Sequence, residues 1–457
     1  MTDTVYDMVI LGAGSGGYAA ALRGAQLGLR VALIEADKIG GTCLHRGCVP
    51  TKAILHSAET AEAVREAAAV GVRAAYQGLD MPAVQRYKNG VISRMYKGLQ
   101  GLVASRGIEV VGGWGRLVAR DTVEVSGRRY RGRNIVLATG SLSKTMGQEI
   151  SGPVMTSDQA LELDRVPASA VVLGGGVIGV ELASAWASMG SQVTIIEALP
   201  HLVPNEDEAI SKQLERAFRK RRIAFRTSTM FESVERTAAG VTVRTADGRT
   251  HDAEVLLIAV GRGPATANLG YEEVGVAMDR GFVLTDDYGR TNVEGVWAVG
   301  DIVPGVQLAH RGFAQGITVA EKIAGLDPRP VDDALVPKVT FCEPEIASVG
   351  LSEARAAEVH GAENVTTSEF NVAGNAKSQI LGTQGFVKLV SLKDGPIVGF
   401  HAIGARMGEQ VGEGQLIVSW EADAHDVASL VHAHPTQNET IGEAAMVLAG
   451  KPLHNHG

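Results

Sequence analysis

Two cysteines five residues apart, Cys43 and Cys48, carry the most reactive chemistry in this 457-residue chain. They lie in GGTCLHRGCVPTK, residues Gly40–Lys52. Such a pair suits either metal ligation or thiol–disulfide exchange. A zinc site would usually pair CxxC with a second Cys/His pair. Here only His45 stands nearby, so no metal is expected. A disulfide needs its Cα atoms within about 7 Å, closer than five residues of regular helix allow. The stretch is therefore expected to be a loop or a distorted first helical turn, and Gly47 and Pro50 fit such a start. A helix N-terminus lowers a thiol pKa, and the thiolate is the reactive form. Arg46 either adds to that field or faces solvent. The third cysteine, Cys342 in VTFCEPEIASVG, reads as a buried small residue.

Upstream, the apolar run Tyr6–Leu11 reads as a buried strand. It is followed by GAGSGG, a helical stretch Tyr18–Leu27, and a second strand Arg30–Ile34 ending on Glu35. This strand–glycine turn–helix–strand–acid order is the dinucleotide-binding unit. Gly12 makes the tight turn, Gly14 lets backbone approach a pyrophosphate, and Gly17 lets helix pack on strand. Ser15 lies at the helix N-terminus, which meets the phosphates, and Glu35 would accept from the ribose hydroxyls. The unit recurs with Gly174, Gly176 and Gly179, with Val177 and Ile178 in the loop and Glu197 as the acid. First glycine to acid spans 23 residues in both copies. One such motif is weak evidence, but two complete copies with matched spacing predict two bound dinucleotides.

Each copy is followed by a strand ending in a glycine turn, Ile135–Gly140 and Val255–Gly261, and a third such run is Val296–Asp301. That order predicts an α/β chain with two Rossmann-like domains, the first split by the second. The expected boundaries are 1–150 with 279–330 for the first, and 151–278 for the inserted one. From 337 to 457 short strands (Val339–Phe341, Phe386–Leu392, Ile397–Ile403) alternate with helical stretches and carry no phosphate loop. That segment reads as an α+β domain with another role, such as dimerisation.

Composition is consistent with this. Hydrophobic residues make up 45% and charged residues 21%, as in ordinary globular proteins. The 56 glycines, about 12% of the chain, exceed the ~7% average but sit singly or in short clusters. Net charge is −8, and the strongest basic run, Arg219–Arg222, closes an amphipathic helix whose dipole it complements. No nucleic-acid partner is expected. No apolar run nears the ~20 residues that span a bilayer, and no signal peptide is visible. Three sparse cysteines fit a reducing compartment, so a cytoplasmic location without membrane association is expected.

The motif GGTC…GC.P.K between two dinucleotide units resembles the pyridine nucleotide–disulfide oxidoreductases, over essentially the whole chain. The resemblance implies FAD in the split domain, NAD(P) in the inserted one, and a homodimer built on the C-terminal domain with active sites shared between subunits. It implies that Cys48 lies beside the flavin and that Cys43 is the interchange thiol. Lys52 would lie near the flavin and pair with Glu181 of GVIGVE. Thr42, Gly115, Thr139, Gly140, Ser141, Asp301, Gln307, Leu308, Ala309 and His310 match stretches that contact FAD, with Asp301 on the ribityl chain. Gly261 matches the turn of the NAD domain.

His432-Ala-His434-Pro-Thr-Gln-Asn-Glu439 resembles the histidine signature strongest among the members that oxidise dihydrolipoamide. By that match His434 is the acid–base residue and Glu439 holds its ring and tautomer. A dithiol must lose a proton before attacking Cys43, and imidazole titrates near neutrality. His432 reads as a packing or surface residue, and His454 and His456 as solvated. Glu197 argues for NAD, since an acid there accepts the 2′-hydroxyl and repels a 2′-phosphate. The following ALPHLVP offers no arginine. Val177 stands where glutathione reductases carry a tyrosine gate, and the C-terminal cysteine pair of mercuric reductase is lacking.

The resemblance thus implies a lipoyl dithiol as substrate, NAD as acceptor, and a lipoylated acyltransferase or glycine-cleavage carrier as partner. Another disulfide or a quinone is the alternative substrate, and a flavin redox sensor of low turnover the alternative class. Three stretches depart from the family pattern: His45-Arg46 between the cysteines, AVGRGPAT without its usual asparagine, and Gln437-Asn438 in the histidine motif.

Overall fold

The computed structural model describes residues Val5–Asn455, so His456 lies outside the described residues. The chain forms two compact units. One comprises 1–53, 82–144 and 261–333; the other comprises 54–81, 145–260 and 334–457.

In the first unit Val5–Leu11 is flanked in parallel by Val31–Glu35 and by Arg128–Leu137. Glu109–Gly112 extends one edge in parallel. Val296–Ala298 joins Arg128–Leu137 on the far side, also in parallel, while the hairpin strands Thr122–Val125 and Gly115–Ala119 run antiparallel. Met8, Val9, Ile10, Leu33, Ile34, Ile135 and Leu137 are fully buried. A strand apolar on both faces is what a sheet covered on both sides demands. The helices Ser15–Gln26 and Ala309–Ile323 pack on one another. A Cβ on Gly316 would come 2.9 Å from the backbone nitrogen of Ala20, so only glycine permits that approach.

The chain re-enters this unit at Gly261, earlier than the expected residue 279. The cause is local pairing. Arg262–Pro264 forms an antiparallel pair with Ser141–Ser143, Leu117 donates to the Leu269 carbonyl at 2.9 Å, and Tyr271 is buried in the core of the first sheet.

The second unit holds its own parallel sheet, in the order Ala224–Arg226, Gln192–Ile196, Ser169–Leu173, Val255–Ile258, Val154–Met155. An antiparallel three-stranded sheet follows Ala224–Arg226 in the chain. The C-terminal part is a five-stranded antiparallel sheet, Lys338–Thr340, Glu345–Gly350, Ile397–Gly404, Phe386–Leu392 and Val365–Asn371. The helices Met407–Ser419 and Glu439–Leu448 pack on it, around Phe400, Met407 and Ile441.

Inside this unit Lys388, 4% exposed, reaches Asp207 at 2.9 Å and Glu353 at 2.6 Å. Asp207 also caps the helix Glu208–Lys220 through Ala209. A buried ammonium is tolerable only when paired in this way.

Candidate functional site

The two glycine loops fold alike. In the first, Gly12 has φ +102°, and a Cβ on Gly17 would collide with the Gly12 carbonyl. In the second, Gly174 has φ +99°, and a Cβ on Gly179 would collide with the Gly174 carbonyl. The helices Ser15–Gln26 and Val177–Met189 begin at Gly14 and Gly176, neither with a side-chain cap. Each of these glycines has open space where its Cβ would stand. A helix N-terminus left open in this manner is a cradle for a pyrophosphate.

The acids are clamped alike as well. Glu35 accepts from the backbone of Ala13 at 2.7 Å and of Asp37 at 2.9 Å. Glu197 accepts from Gly175 at 2.5 Å and Leu199 at 2.7 Å. Each carboxylate is thus aimed by two N–H donors and keeps lone pairs for a ribose diol. These loops and acids fit two dinucleotides.

Around the first loop, Gly115 is buried where a Cβ would meet Leu11 at 2.5 Å. Thr139 donates to the Ala265 carbonyl at 2.7 Å. Gly140 has φ +75°. Ser141 donates to Asp301 at 2.5 Å. Arg262, which motif reasoning passed over, holds the Ser141 hydroxyl at 2.7 Å, its carbonyl at 2.6 Å and Ser143 at 3.2 Å. Only its place after Gly261 in AVGR pointed to it. Gln307 donates to the Asp301 carbonyl at 3.3 Å. Leu308 precedes the helix that Ala309 and His310 begin. Gly261 itself, expected as a turn of the NAD domain, lies in the first unit and accepts from Lys144.

The cysteine motif is two helical segments with a break between them. Thr42 and Cys43 lie in Gly41–Arg46, Gly47 breaks the helix, and Cys48 opens the helix Cys48–Glu66, with Lys52 one turn on. A Cβ on Gly47 would sit 3.0 Å from the Thr42 carbonyl oxygen, so a larger residue at the break would press on that carbonyl. The two cysteines are hydrogen-bonded neighbours. That bond, then burial, pushes the Cys43 thiol up, while Lys52 pulls it down. The helix N-terminus expected near the pair lies at Cys48, and Cys43 sits half-buried inside the preceding segment. Tyr18 is pushed up to about 12, by burial first and then by both cysteines.

His45 and Arg46, unusual for the motif, have structural partners. His45 meets the Ile39 carbonyl at 2.9 Å and stacks edge-on against Tyr96 with ring centroids 4.9 Å apart. Arg46 pairs with Asp37 at 2.8 Å.

In the second unit Val177 is exposed and Ile178 half-buried on the loop side of the helix. Glu181 is buried on that helix and accepts from the Phe341 backbone at 2.8 Å. Cys342 is buried, its thiol pushed up by burial first and by Glu181 and Glu343 next. His434 contacts Glu439 at 2.7 Å through Nδ1, and the other Glu439 oxygen accepts from the Thr436 backbone at 2.8 Å. Burial works against the Glu439 carboxylate, yet Thr436 and His434 hold it below its ordinary value. Nδ1 is engaged, so Nε2 is the nitrogen left to face a substrate, and the imidazole is exposed.

His432 is not a plain packing residue: it pairs with Glu413 at 2.8 Å. His454 is exposed, as expected, and meets Glu443 at 2.7 Å. Gln437 is buried, accepting from Ser378 and donating to the Ala405 carbonyl.

Two family models cover the chain. Residues 6–316 match pyridine nucleotide-disulphide oxidoreductase and residues 336–445 match the dimerisation domain of the same family. The chain belongs to this family. A dihydrolipoyl dehydrogenase of Bacillus subtilis is 37% identical, over 99% of each chain. A mitochondrial one of Arabidopsis thaliana is 36% identical, over 98% of this chain and 91% of that protein. Among solved structures, LpdA from Mycobacterium tuberculosis superposes with a TM-score of 0.90 at 26% identity, covering 96% of this chain and 99% of that one. The HOCl-induced flavoprotein disulfide reductase RclA from Escherichia coli gives 0.87 at 26% identity, covering 97% and 100%. The fold of this oxidoreductase is therefore two dinucleotide-binding domains joined to a dimerisation domain. Among the described residues no helix is long and apolar enough to cross a membrane, and no group of three or more His, Cys, Asp or Glu could hold a metal ion.

Proposed function

We propose that the protein is an NAD-dependent dihydrolipoyl dehydrogenase, oxidising protein-bound dihydrolipoamide to lipoamide and reducing NAD to NADH. The observation that carries this is the His434–Glu439 contact at 2.7 Å. It supplies, in a chain with an adjacent cysteine pair, the base that a dithiol needs before it can attack a disulfide. The split first domain, resuming at Gly261, serves to bind FAD, the inserted one to bind NAD, and 337–457 as the dimer interface.

When bound, FAD supplies two-electron transfer between the cysteine pair and NAD. Gly12, Gly14, Ser15 and Gly17 seat its pyrophosphate, and Glu35 its adenosine ribose. Ser141 and Arg262 fix Asp301 for the ribityl chain. Thr42, Gly115, Thr139, Gly140, Gln307, Leu308, Ala309 and His310 complete that site. Gly174, Gly176, Val177, Ile178, Gly179 and Glu197 seat NAD, with Gly261 at the adjoining turn and Glu181 toward the nicotinamide.

His434 of one subunit takes a thiol proton from the substrate bound at the other subunit's cysteines, and Glu439 stabilises the resulting imidazolium. The substrate thiolate attacks Cys43 and the Cys43–Cys48 bond breaks. The second substrate thiol then displaces Cys43, which takes up its proton, releasing lipoamide and leaving a dithiol whose other proton stays on His434. Lys52 favours its thiolate form. A homodimer, a lipoylated acyltransferase or glycine-cleavage carrier as partner, and a cytoplasmic location complete the reading.

The test is NADH formation from free dihydrolipoamide by the FAD-loaded protein. Rapid turnover is expected, and His434→Ala should lose about a hundredfold or more in kcat while NADH still reduces the flavin. A yellow protein without turnover would move the substrate to another disulfide or a quinone.

A further inference from the structure

A second histidine–glutamate pair stands beside the first, and no reaction step uses it. Glu413, on the helix Met407–Ser419, receives His432 on Oε1 at 2.8 Å and Asn438 on Oε2 at 2.6 Å. His432 precedes His434 by two residues, and Asn438 immediately precedes Glu439. One carboxylate therefore holds both ends of the loop that carries the acid–base dyad. The fit is close: a Cβ on Gly442 would lie 2.6 Å from the His432 ring. Asn438, a departure from the family motif, is what reaches the second Glu413 oxygen.

We propose that His432 and Glu413 are positioning residues for the His434–Glu439 dyad, Glu413 gripping the loop on both sides of His434 and holding His432 beside Glu439. This rests on the reading of His434 as the acid–base residue.

The electrostatics run in that direction. The bond to Glu413 raises His432 above the ordinary imidazole value, with Glu439 adding to the rise. Burial works against the Glu413 carboxylate, but His432 and Asn438 hold it below its usual range. His432 in turn helps to hold Glu439 down. The charged groups facing His432 are Glu413 from the helix Met407–Ser419 and Glu439 from the helix Glu439–Leu448. His432 opposes protonation of Glu439, so removing it lets the dyad take up a proton at higher pH.

The experiment is the pH profile of kcat/KM for dihydrolipoamide oxidation in wild type, Glu413→Gln, Glu413→Asp and His432→Gln. Glu413→Gln and His432→Gln should lose about tenfold or more, the scale of a misplaced catalytic group. Their acidic limb should move up by about half a pH unit, as expected for one screened charge nearby. Glu413→Asp keeps the charge and should restore the limb. Flavin reduction by NADH, which bypasses the dyad, is the control for folding and cofactor loading. Ring-proton NMR titration without substrate reads the same coupling, with the His432 resonance titrating lower in Glu413→Gln. Unchanged profiles overturn the proposal, and so does a lower rate with an unmoved limb, which would mark a purely structural role. Absence of dihydrolipoamide turnover in wild type would count against the assigned substrate, and the NMR titration would still decide the coupling.

Discussion

Glu197→Gln tests how the second glycine loop selects its nucleotide. The Glu197 side chain is 7% exposed and both oxygens accept backbone N–H groups, from Gly175 at 2.5 Å and Leu199 at 2.7 Å. Glutamine matches its shape but must turn an NH₂ toward one of those donors. One charge-assisted hydrogen bond is then replaced by a donor–donor contact, which costs about 1.5–3 kcal/mol. Part of that cost falls on ribose binding, so KM for NAD should rise about tenfold. The effect on NADP has the opposite sign. Two like charges about 4 Å apart at an effective dielectric near 20 repel by about 4 kcal/mol, so the wild type should prefer NAD over NADP by on the order of a thousandfold. Removing the charge should shrink that preference to on the order of tenfold. The assay is kcat/KM for both nucleotides with dihydrolipoamide held saturating. A wild type that uses NADP as readily as NAD, or a variant with an unchanged ratio, would refute the reasoning.

Arg262→Ala should loosen FAD. It removes the three bonds that orient Ser141 and Ser143, and so frees the Ser141 hydroxyl that donates to Asp301. Loss of charged hydrogen bonds worth about 1.5 kcal/mol should speed FAD release about tenfold, read as recovery of free-flavin fluorescence; an unchanged rate would detach Arg262 from the site. Acid should weaken the second unit through Asp207. Burial opposes its charge, but Lys388 and the Glu353 backbone hold it below the ordinary carboxylate value. Its contribution is therefore complete above the unfolded-state value and is lost as pH falls through the lower folded one. Burial likewise opposes the Lys388 cation, yet Glu353 and Asp207 raise it, so its share is lost only at strongly alkaline pH. Thermal unfolding of Asp207→Asn should lose that acid-side dependence, and a slope equal to wild type would show that Asp207 is not its source.

Much of the site is legible before any fold is known, because its chemistry is local. Gly12 and Gly17, or Gly174 and Gly179, are near in sequence, and the strand–turn–helix geometry that demands glycine there spans only a few residues. The acids Glu35 and Glu197 terminate the next strand, so their distance from the loop follows from element lengths. Cys43 and Cys48 are likewise near neighbours, and His434 with Glu439 sits within a single turn and the helix it leads into.

What depended on tertiary structure is the set of contacts made across long separations. Pairing of Arg262–Pro264 with Ser141–Ser143 returned the chain to the first unit at Gly261 rather than at residue 279. It also brought Arg262 to Ser141, 121 residues away. Glu413, on the helix Met407–Ser419, meets His432 19 residues on. The Cys43 thiol is pushed up because the bond to Cys48 and then burial outweigh the pull of Lys52. Local spacing determines which groups can react and where backbone must approach closely. Long-range packing decides which charges are paired and buried, because desolvation and Coulomb energy depend on neighbours that sequence order does not reveal.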